Sequence, residues 1–480
     1  MKSYRIAYIP ALLDYRPITR CLPPLVAAFL FAGQVWAQPS AEPTAETVAP
    51  TDMQRCTDVV TTACLVGEIQ SYLASDIDPF KRQRAMLTLA QAQLADGNVQ
   101  QALAAYKELE ATTARAEFLV SHAKRLFTDG DNAQALERLR EADALLTEGQ
   151  SDLDRLNVTW QRQLIAEAFA QAGANEEARA ILDDIAGYRN RIPMNPMLLA
   201  LMLQLAEDQA DIGFRDEAAV LVRETYYLVL DQDTQVTPEQ ILRIFEVWSS
   251  VDATAATKAA EELAEIMSEN DPSAFELSIW TGLSLGLGAS GGEDATFIEH
   301  AQKSLTEAPE RVAALLLAPK LADAMREAGE TERAVALLDD AHAEASGLSS
   351  TMEKASVLLA LAEGLIRAEA ADQAREVLRE LLAMTDDTDA GKMMLRQFAS
   401  LVPAHLALLG RTDEAYDLAM ESEDGNRELA LATAADKLAA RGDYLQTLRF
   451  LREVESEIAV MIMAGIADRL AYPSSQPKAQ

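Results

Sequence analysis

The sequence predicts an all-α protein built from consecutive helix pairs, and its length, composition and one recurring pattern support this. The chain has 480 residues, whereas a single compact core stops growing at ~250–300 residues. Hydrophobic residues make up 49% and aromatics only 6%, while alanine, the strongest helix former, is abundant. No segment shows the sustained Val, Ile and Thr alternation of a strand. A repeat array, which lengthens without thickening, accounts for all of this.

Residues 1–37 have the features of a secretory signal peptide. A basic stretch ends at Arg20, an apolar run follows over residues 22–32, and Val35-Trp36-Ala37 supplies the small residues that signal peptidase requires. The run is shorter than the ~20 residues that span a bilayer. We expect cleavage before Gln38 and an exported product, periplasmic in a double-membraned bacterium, with no integral membrane segment after cleavage. An uncleaved anchor is the alternative.

Three further boundaries follow from composition. Residues 38–52 are rich in Pro, Ala, Thr and Glu and lack a periodic apolar face, which predicts a flexible linker. Residues 53–472 are predicted to form the helical array. Residues 473–480 are predicted to form a polar tail.

The charge of the chain excludes one class of partner. The net charge is −34, and it becomes −37 once the basic leader is removed. Such a chain repels phosphate backbones, so we expect no nucleic-acid binding. Residues 81–191 carry a net charge of −3 and residues 192–480 carry −28. A partner of the second part is expected to be basic or neutral, unless the charge serves only solubility.

One pattern recurs over residues 82–455. An apolar helix ends in a glycine or a small polar turn, an alanine follows five residues later, and an apolar residue follows four after that. The clearest copy has Ala90 before Gly97, then Ala102 and Tyr106, and a copy near Ala374 lacks the glycine. Apolar residues at steps of three and four form one buried stripe per helix, and glycine closes the hairpin. We expect small residues where two helices cross; the recurring alanines are Ala102, Ala135, Ala178, Ala218, Ala256, Ala295, Ala334, Ala374 and Ala415.

Small, small and bulky residues at these offsets resemble the tetratricopeptide repeat (TPR). The resemblance implies an α-solenoid, a right-handed superhelix whose concave face, lined by the first helix of each pair, binds peptides or protein segments. We expect about ten TPR-like helix-turn-helix units. The recurring alanines are 33 to 43 residues apart, so most units exceed the family period of ~34 and the curvature need not be standard.

Local motifs mark helix ends and one joint. Thr237-Pro238-Glu239-Gln240 reads as an N-cap, a first-turn proline and a capping-box partner, and Asn195-Pro196 is similar. The segment Gly286-Leu-Gly288-Ala-Ser-Gly291 matches a dinucleotide fingerprint, but the segment before it reads as helix whereas the fingerprint needs a strand. We expect an inter-helix turn there, with a joint near residues 281–293.

No residues with the pattern of a catalytic, cofactor-binding or metal site were found. The four histidines lack metal-ligand spacing, and no nucleophile motif accompanies them. We expect His122 on the buried stripe of its helix and Trp160, Trp248 and Trp280 in the core. The sequence therefore predicts no enzyme and no cofactor.

Two cysteines follow the predicted cleavage site. One continuous helix would hold Cys56 and Cys64 ~12 Å apart, too far for a disulfide. The β-branched residues 59–62 between them can interrupt the helix and let the two meet. A disulfide at the start of the array is the favoured interpretation, and two unpaired buried thiols are the alternative.

A cluster of cations is the one candidate for partner binding. Arg84 and Lys124 fall at inward-pointing steps of the first helices of the first two units. They could receive an acidic segment or a carboxylate terminus; a solvated face paired with nearby carboxylates is the alternative. The full cluster comprises Lys81, Arg82, Arg84, Lys124 and Arg125.

The sequence as a whole predicts an exported, non-enzymatic scaffold that binds a protein or peptide partner on a helical-repeat surface. A structural or assembly factor of the cell envelope is the alternative. An envelope hydrolase is a third, which would require a cluster of buried polar residues in a pocket.

Overall fold

A computed structural model describes residues 56, 59–74, 79–148, 158–190, 195–231, 237–268, 274–289, 295–385, 388–422, 424–454 and 457–471. Within these ranges the chain forms 22 α-helices and no β-strand, which confirms the all-α prediction. The predicted signal peptide (1–37), linker (38–52) and tail (473–480) lie outside the described residues and stay predictions.

The helices follow one another with short connections. Their bounds are α1 Thr62–Leu73, α2 Pro79–Ala95, α3 Val99–Lys107, α4 Thr112–Thr128, α5 Asn132–Thr147, α6 Thr159–Gln171, α7 Asn175–Ala186, α8 Pro196–Asp211, α9 Arg215–Asp231, α10 Pro238–Val251, α11 Ala253–Ser268, α12 Ala274–Ala289, α13 Ala295–Glu307, α14 Arg311–Glu327, α15 Thr331–Ala345, α16 Thr351–Arg367, α17 Ala371–Ala383, α18 Asp389–Leu408, α19 Thr412–Glu421, α20 Asp424–Ala440, α21 Tyr444–Leu451 and α22 Glu457–Ala471.

The predicted helix starts are confirmed where the structure describes them. Thr237 is the N-cap of α10, and its hydroxyl and the Gln240 side chain form a reciprocal capping box. Asn195 caps α8 by accepting a hydrogen bond from the Leu198 amide at 2.9 Å. In both helices a proline follows the cap, where its missing N–H costs no hydrogen bond.

The hairpin turns use a left-handed residue between the two helices of a pair. At Gly329 (φ 81°) the Glu330 amide donates to the Met325 carbonyl at 2.8 Å. The hairpin predicted without a glycine has the same geometry: Glu369 has φ 61°, and the Ala370 amide donates to the Leu365 carbonyl at 2.9 Å. The turn is therefore set by the packing of the hairpin, and Glu369 adopts a backbone conformation that ordinary residues avoid.

The recurring alanines are buried as predicted, with one exception. Ala90 and Ala102 are both inaccessible and belong to one core cluster with Leu87, Leu94 and Phe118. The prediction for Ala295 was wrong: it is exposed at the first position of α13. The other alanines of the series are fully buried, namely Ala135, Ala178, Ala218, Ala256, Ala334, Ala374 and Ala415.

The described residues fall into two compact units. The middle unit runs from Glu176 to Leu418. In it the first helices α8, α10, α12, α14, α16 and α18 pack side by side in chain order. The second helices, α9 to α17, each pack against the first helix of their own pair and of the next. This is the neighbour-to-neighbour packing of an α-solenoid, so the fold class is confirmed; the number of about ten units stays a prediction.

The glycines before Ala289 do not form the predicted inter-helix turn. Gly282, Gly286 and Gly288 lie inside α12. A side chain at Gly286 would overlap Ser249 and the Glu246 carbonyl on α10, and one at Gly282 would overlap the Leu242 carbonyl. Glycine is used here for close approach of two helices rather than for turning. The remainder of the proposed joint, residues 290–293, lies outside the described residues.

The terminal unit combines both ends of the repeat array. It contains the described residues up to Asn175 and those from Ala419 onward. The last helix, α22, packs against α1 and α2 as well as against α20. Arg452, just after α21, donates hydrogen bonds to the Cys56 carbonyl at 3.0 Å and to the Glu68 carboxylate at 3.3 Å. The first and last described helices are therefore direct neighbours.

The cysteines meet at the start of the terminal unit. Thr61 caps α1, so the helix begins between Cys56 and Cys64. Their Cα atoms are 5.4 Å apart and their sulfurs are paired. This is the chain geometry that the predicted disulfide requires.

Among the described helices, none has both the length and the apolar character needed to cross a membrane.

We predict that Glu369→Gly stabilises the protein. Glycine relieves the strain of the left-handed conformation, which is worth ~1–2 kcal/mol. Part of that gain is lost because glycine raises the conformational entropy of the unfolded chain, so we expect the free energy of unfolding to increase by about 1 kcal/mol. Urea denaturation of the purified chain measures it. Glu369→Gln is the matched control, because it removes the charge and keeps the strain. Equal effects of the two variants would contradict the prediction.

Candidate partner-binding site

The structure brings two of the five predicted cations together. Arg84 on α2 and Lys124 on α4 line the same cavity. The other three do not line it. The Arg82 guanidinium donates to the Leu73 carbonyl at 3.2 Å, and Arg125 forms an ion pair with Asp129 at 2.9 Å.

The cavity lies within the terminal unit and has a volume of about 150 Å³. The three first helices α2, α4 and α6 form one side. The last helix, α22, supplies Met461, Ala464, Gly465 and Asp468. Because α22 packs on α2, the C-terminal end of the chain completes a cavity that the N-terminal repeats begin.

Arg84 is already neutralised inside the cavity. Its guanidinium lies 3.0 Å from the Glu117 carboxylate, and both side chains are mostly buried. Next to this pair, Gln91 donates to the Ser121 hydroxyl at 3.2 Å, and that hydroxyl donates to the Glu117 carbonyl. These contacts join α2 to α4 and fix the polar floor of the cavity. Because Arg84 is paired with Glu117, its main role is to hold the wall of the cavity together.

Lys124 and Asp468 are the charges that the cavity leaves without a counter-ion. Within the described ranges neither side chain has an ion pair or a hydrogen bond. A third unsatisfied group is Gln161 on α6, whose Oε1 is buried without a donor among the described residues. The cavity thus presents one cation and one anion without a counter-ion to a ligand, while the Gln161 oxygen lies below its surface.

The aromatic and histidine predictions are only partly right. Trp248 and Trp280 are buried, whereas Trp160 is half-buried on the cavity wall. His122 lies beside Phe118, with ring centroids 5.9 Å apart. Burial, with a smaller contribution from Arg138, lowers the His122 pKa, so the ring is neutral and part of the packing.

A partly buried network of charged groups in the middle unit was not predicted from the sequence; Asp323 and His405 are buried, whereas the Arg367 and Glu363 side chains are 34% and 40% exposed. The Asp323 carboxylate on α14 accepts two hydrogen bonds from Arg367 Nε on α16, at 2.9 and 3.0 Å. Glu363 on α16 lies 3.1 Å from His405 Nε2 on α18. Burial, together with Arg367, lowers the pKa of Lys320 to about 8. The sequence feature that would have indicated this network is the presence of charged residues at positions of the first helices where the apolar stripe predicts hydrophobic ones.

No metal site accompanies this network. Among the residues that the structure describes, no three His, Cys, Asp or Glu side chains are placed to share a metal ion. The bonds of the network join neighbouring first helices, which is a packing role. The prediction that the chain is not an enzyme stays a prediction.

Comparisons with known proteins found similarity only at the level of structure. No protein-family model matches the chain, and no curated protein matches it. Ton1535 from Thermococcus onnurineus NA1 is 17% identical, with 80% of this chain and 98% of that one covered and a TM-score of 0.31. A Rap protein complexed with competence and sporulation factor is 13% identical, with 75% and 99% covered and a TM-score of 0.27. A chain of the APC/C hetero-tetramer Cut9–Hcn1 is 12% identical, with 82% and 80% covered and a TM-score of 0.26. The resemblance to tetratricopeptide repeats rests on the chain itself, namely on its buried recurring alanines and its successive helix pairs.

We predict that Asp436→Asn stabilises the terminal unit near neutral pH. Burial on α20 raises the Asp436 pKa from 3.8 to about 6. Between these pH values the folded state therefore binds more protons than the unfolded chain, and the folded state loses stability as the pH rises from about 4 to 6. Asparagine does not titrate and so avoids this loss. We expect the free energy of unfolding to rise by about 1–3 kcal/mol at pH 7 and to change little at pH 4. Urea denaturation at both pH values tests it, with exposed Asp183→Asn as the control. A gain independent of pH would contradict the mechanism.

Proposed function

We propose that the chain is an exported, non-enzymatic interaction scaffold that binds an acidic segment of a partner protein at the cavity of the terminal unit. The observation that supports this most directly is that Arg84 and Lys124, from two successive first helices, line one cavity. The two cations are 40 residues apart in sequence and share this surface because first helices of neighbouring repeats pack side by side.

Lys124 carries the recognition in this proposal. The Arg84 charge is balanced by Glu117, whereas no carboxylate within the described residues pairs with Lys124. A partner carboxylate at Lys124 would make a charge-assisted hydrogen bond in a partly enclosed site, where it is stronger than in water. The amides of Gln91 and Gln161 lie in the same wall and suit the polar backbone of an extended segment.

The lining argues against covalent catalysis in this cavity. Ser121 and Thr88 are its hydroxyl-bearing residues, and the Ser121 hydroxyl donates to a backbone carbonyl rather than to a base. Nucleophilic catalysis needs a nucleophile within hydrogen-bond reach of a base. No histidine or cysteine lines the cavity. Binding is therefore the role that these side chains support.

Export is part of the proposal and rests on residues 1–37. We expect the mature chain to begin at Gln38 and to accumulate in the periplasm of a double-membraned host, because the leader has the three regions that signal peptidase recognises. Cell fractionation followed by N-terminal sequencing checks this. A chain that keeps Met1 and stays in the cytoplasm would contradict it.

We predict that Lys124→Glu abolishes capture of the partner. A photocrosslinking aromatic amino acid in place of Trp160, which is half-buried on the cavity wall, places the probe at the cavity with little change in side-chain volume. Charge reversal at Lys124 replaces attraction for an acidic segment by repulsion and should reduce the crosslinked product at least tenfold. The product is measured in living cells by mass spectrometry.

Lys258→Glu is the matched control, since Lys258 is exposed on α11 of the middle unit. Equal crosslinking by wild type and Lys124→Glu would overturn the proposal. Loss with Lys258→Glu would show that total charge, rather than the cavity, determines capture.

A further inference from the structure

The cavity of the terminal unit holds two opposite charges that do not neutralise each other. Lys124 on α4 and Asp468 on α22 both line it, yet they form no ion pair with each other or with any other described residue. The remaining charges of the lining, Arg84 and Glu117, already form a 3.0 Å pair. An acidic segment would pair with Lys124 and leave Asp468 without a counter-ion. A ligand that carries both charges would satisfy both.

The two unpaired charges point to a zwitterionic ligand. An ammonium group has three donors and binds a carboxylate, and a carboxylate binds a lysine ammonium in the same way. Asp468 is therefore the group that matches a ligand ammonium, and Lys124 is the group that matches a ligand carboxylate.

The accessible volume of the cavity accommodates a ligand of about one amino-acid residue. Its volume is about 150 Å³, whereas pockets for drug-sized molecules have ~300–1,000 Å³. An apolar cavity of ~150 Å³ is known to hold a molecule as small as benzene. The rest of the lining is aliphatic, with Leu164 and Ile165 from α6 and Met461 from α22, and Gly465 leaves space that a side chain would fill.

We propose that this cavity binds a free α-amino acid with an apolar side chain, as a zwitterion. The carboxylate pairs with Lys124, the ammonium group with Asp468, and the side chain contacts the aliphatic wall. Since α22 carries Asp468, the ligand also links the last helix to α4 and α6, and its binding stabilises the closed terminal unit.

Binding of the zwitterion does not depend on the protein partner. One consequence does rest on the proposed function: the amino acid and the partner segment both use Lys124, so they exclude each other. A free amino acid would then release the partner from this site.

Calorimetric titration of the purified mature chain with L-leucine and L-methionine tests the proposal. The matched controls are 3-methylbutylamine, which is leucine without its carboxylate, and 4-methylpentanoate, which is leucine without its ammonium group. We expect binding of leucine or methionine, and at least tenfold weaker binding of each control compound, because each lacks one charge-assisted contact. Lack of binding by both amino acids, or equal binding of either control compound, would overturn the proposal.

Variants separate this proposal from the preceding one. Lys124→Gln and Asp468→Asn should each weaken leucine or methionine binding at least tenfold, whereas Lys258→Gln should not change it. Gly465→Leu should fill the cavity and abolish binding, and its circular dichroism spectrum and melting curve verify that it is folded. If Asp468→Asn leaves binding unchanged, the zwitterion proposal is overturned. A further outcome is that Asp468→Asn leaves amino-acid binding unchanged and increases capture of the protein partner, while Lys124→Glu abolishes that capture. This outcome would support the binding of an acidic segment and overturn the binding of a zwitterion.

Discussion

The packing of each first helix against the first helix of the next repeat is the constraint on which the rest of the described structure depends. A helix pair cannot bury its apolar stripe alone, so neighbouring pairs must bury it for each other. Side-chain bonds therefore join residues about one repeat apart in sequence. Among the described residues, examples that connect first helices are Arg84–Glu117, Glu207–Arg243, Asp323–Arg367 and Glu363–His405.

The same constraint explains the polar groups inside the packing. Asp323 is nearly inaccessible, and a lone buried carboxylate would be costly, but Arg367 on the next first helix provides its hydrogen bonds. His405 is similarly held between the Glu363 carboxylate and the Leu401 carbonyl, which lies 2.8 Å from Nδ1. Each network spans one repeat boundary, so it can help to set the register between neighbours.

The terminal unit departs from neighbour-only packing. Arg452 bonds to Glu68 across 384 residues of sequence, and α22 covers α2. A solenoid ordinarily needs polar caps on its first and last repeats. Here the apolar face of the last described helix is covered by the first ones, and this contact also creates the cavity. The candidate site therefore depends on residues from both ends of the chain.

The sequence by itself determined the local architecture, because the pairing of successive helices depends on residues that are close together in sequence. The buried alanines such as Ala102, the capping box at Thr237 and the left-handed turn at Gly329 each depend on residues within a few positions. Only the tertiary structure decided the contacts between distant segments. Spacing cannot reveal that Gly286 serves close helix packing, nor that Asp468 faces the cavity of Lys124, because each depends on which helices pack together.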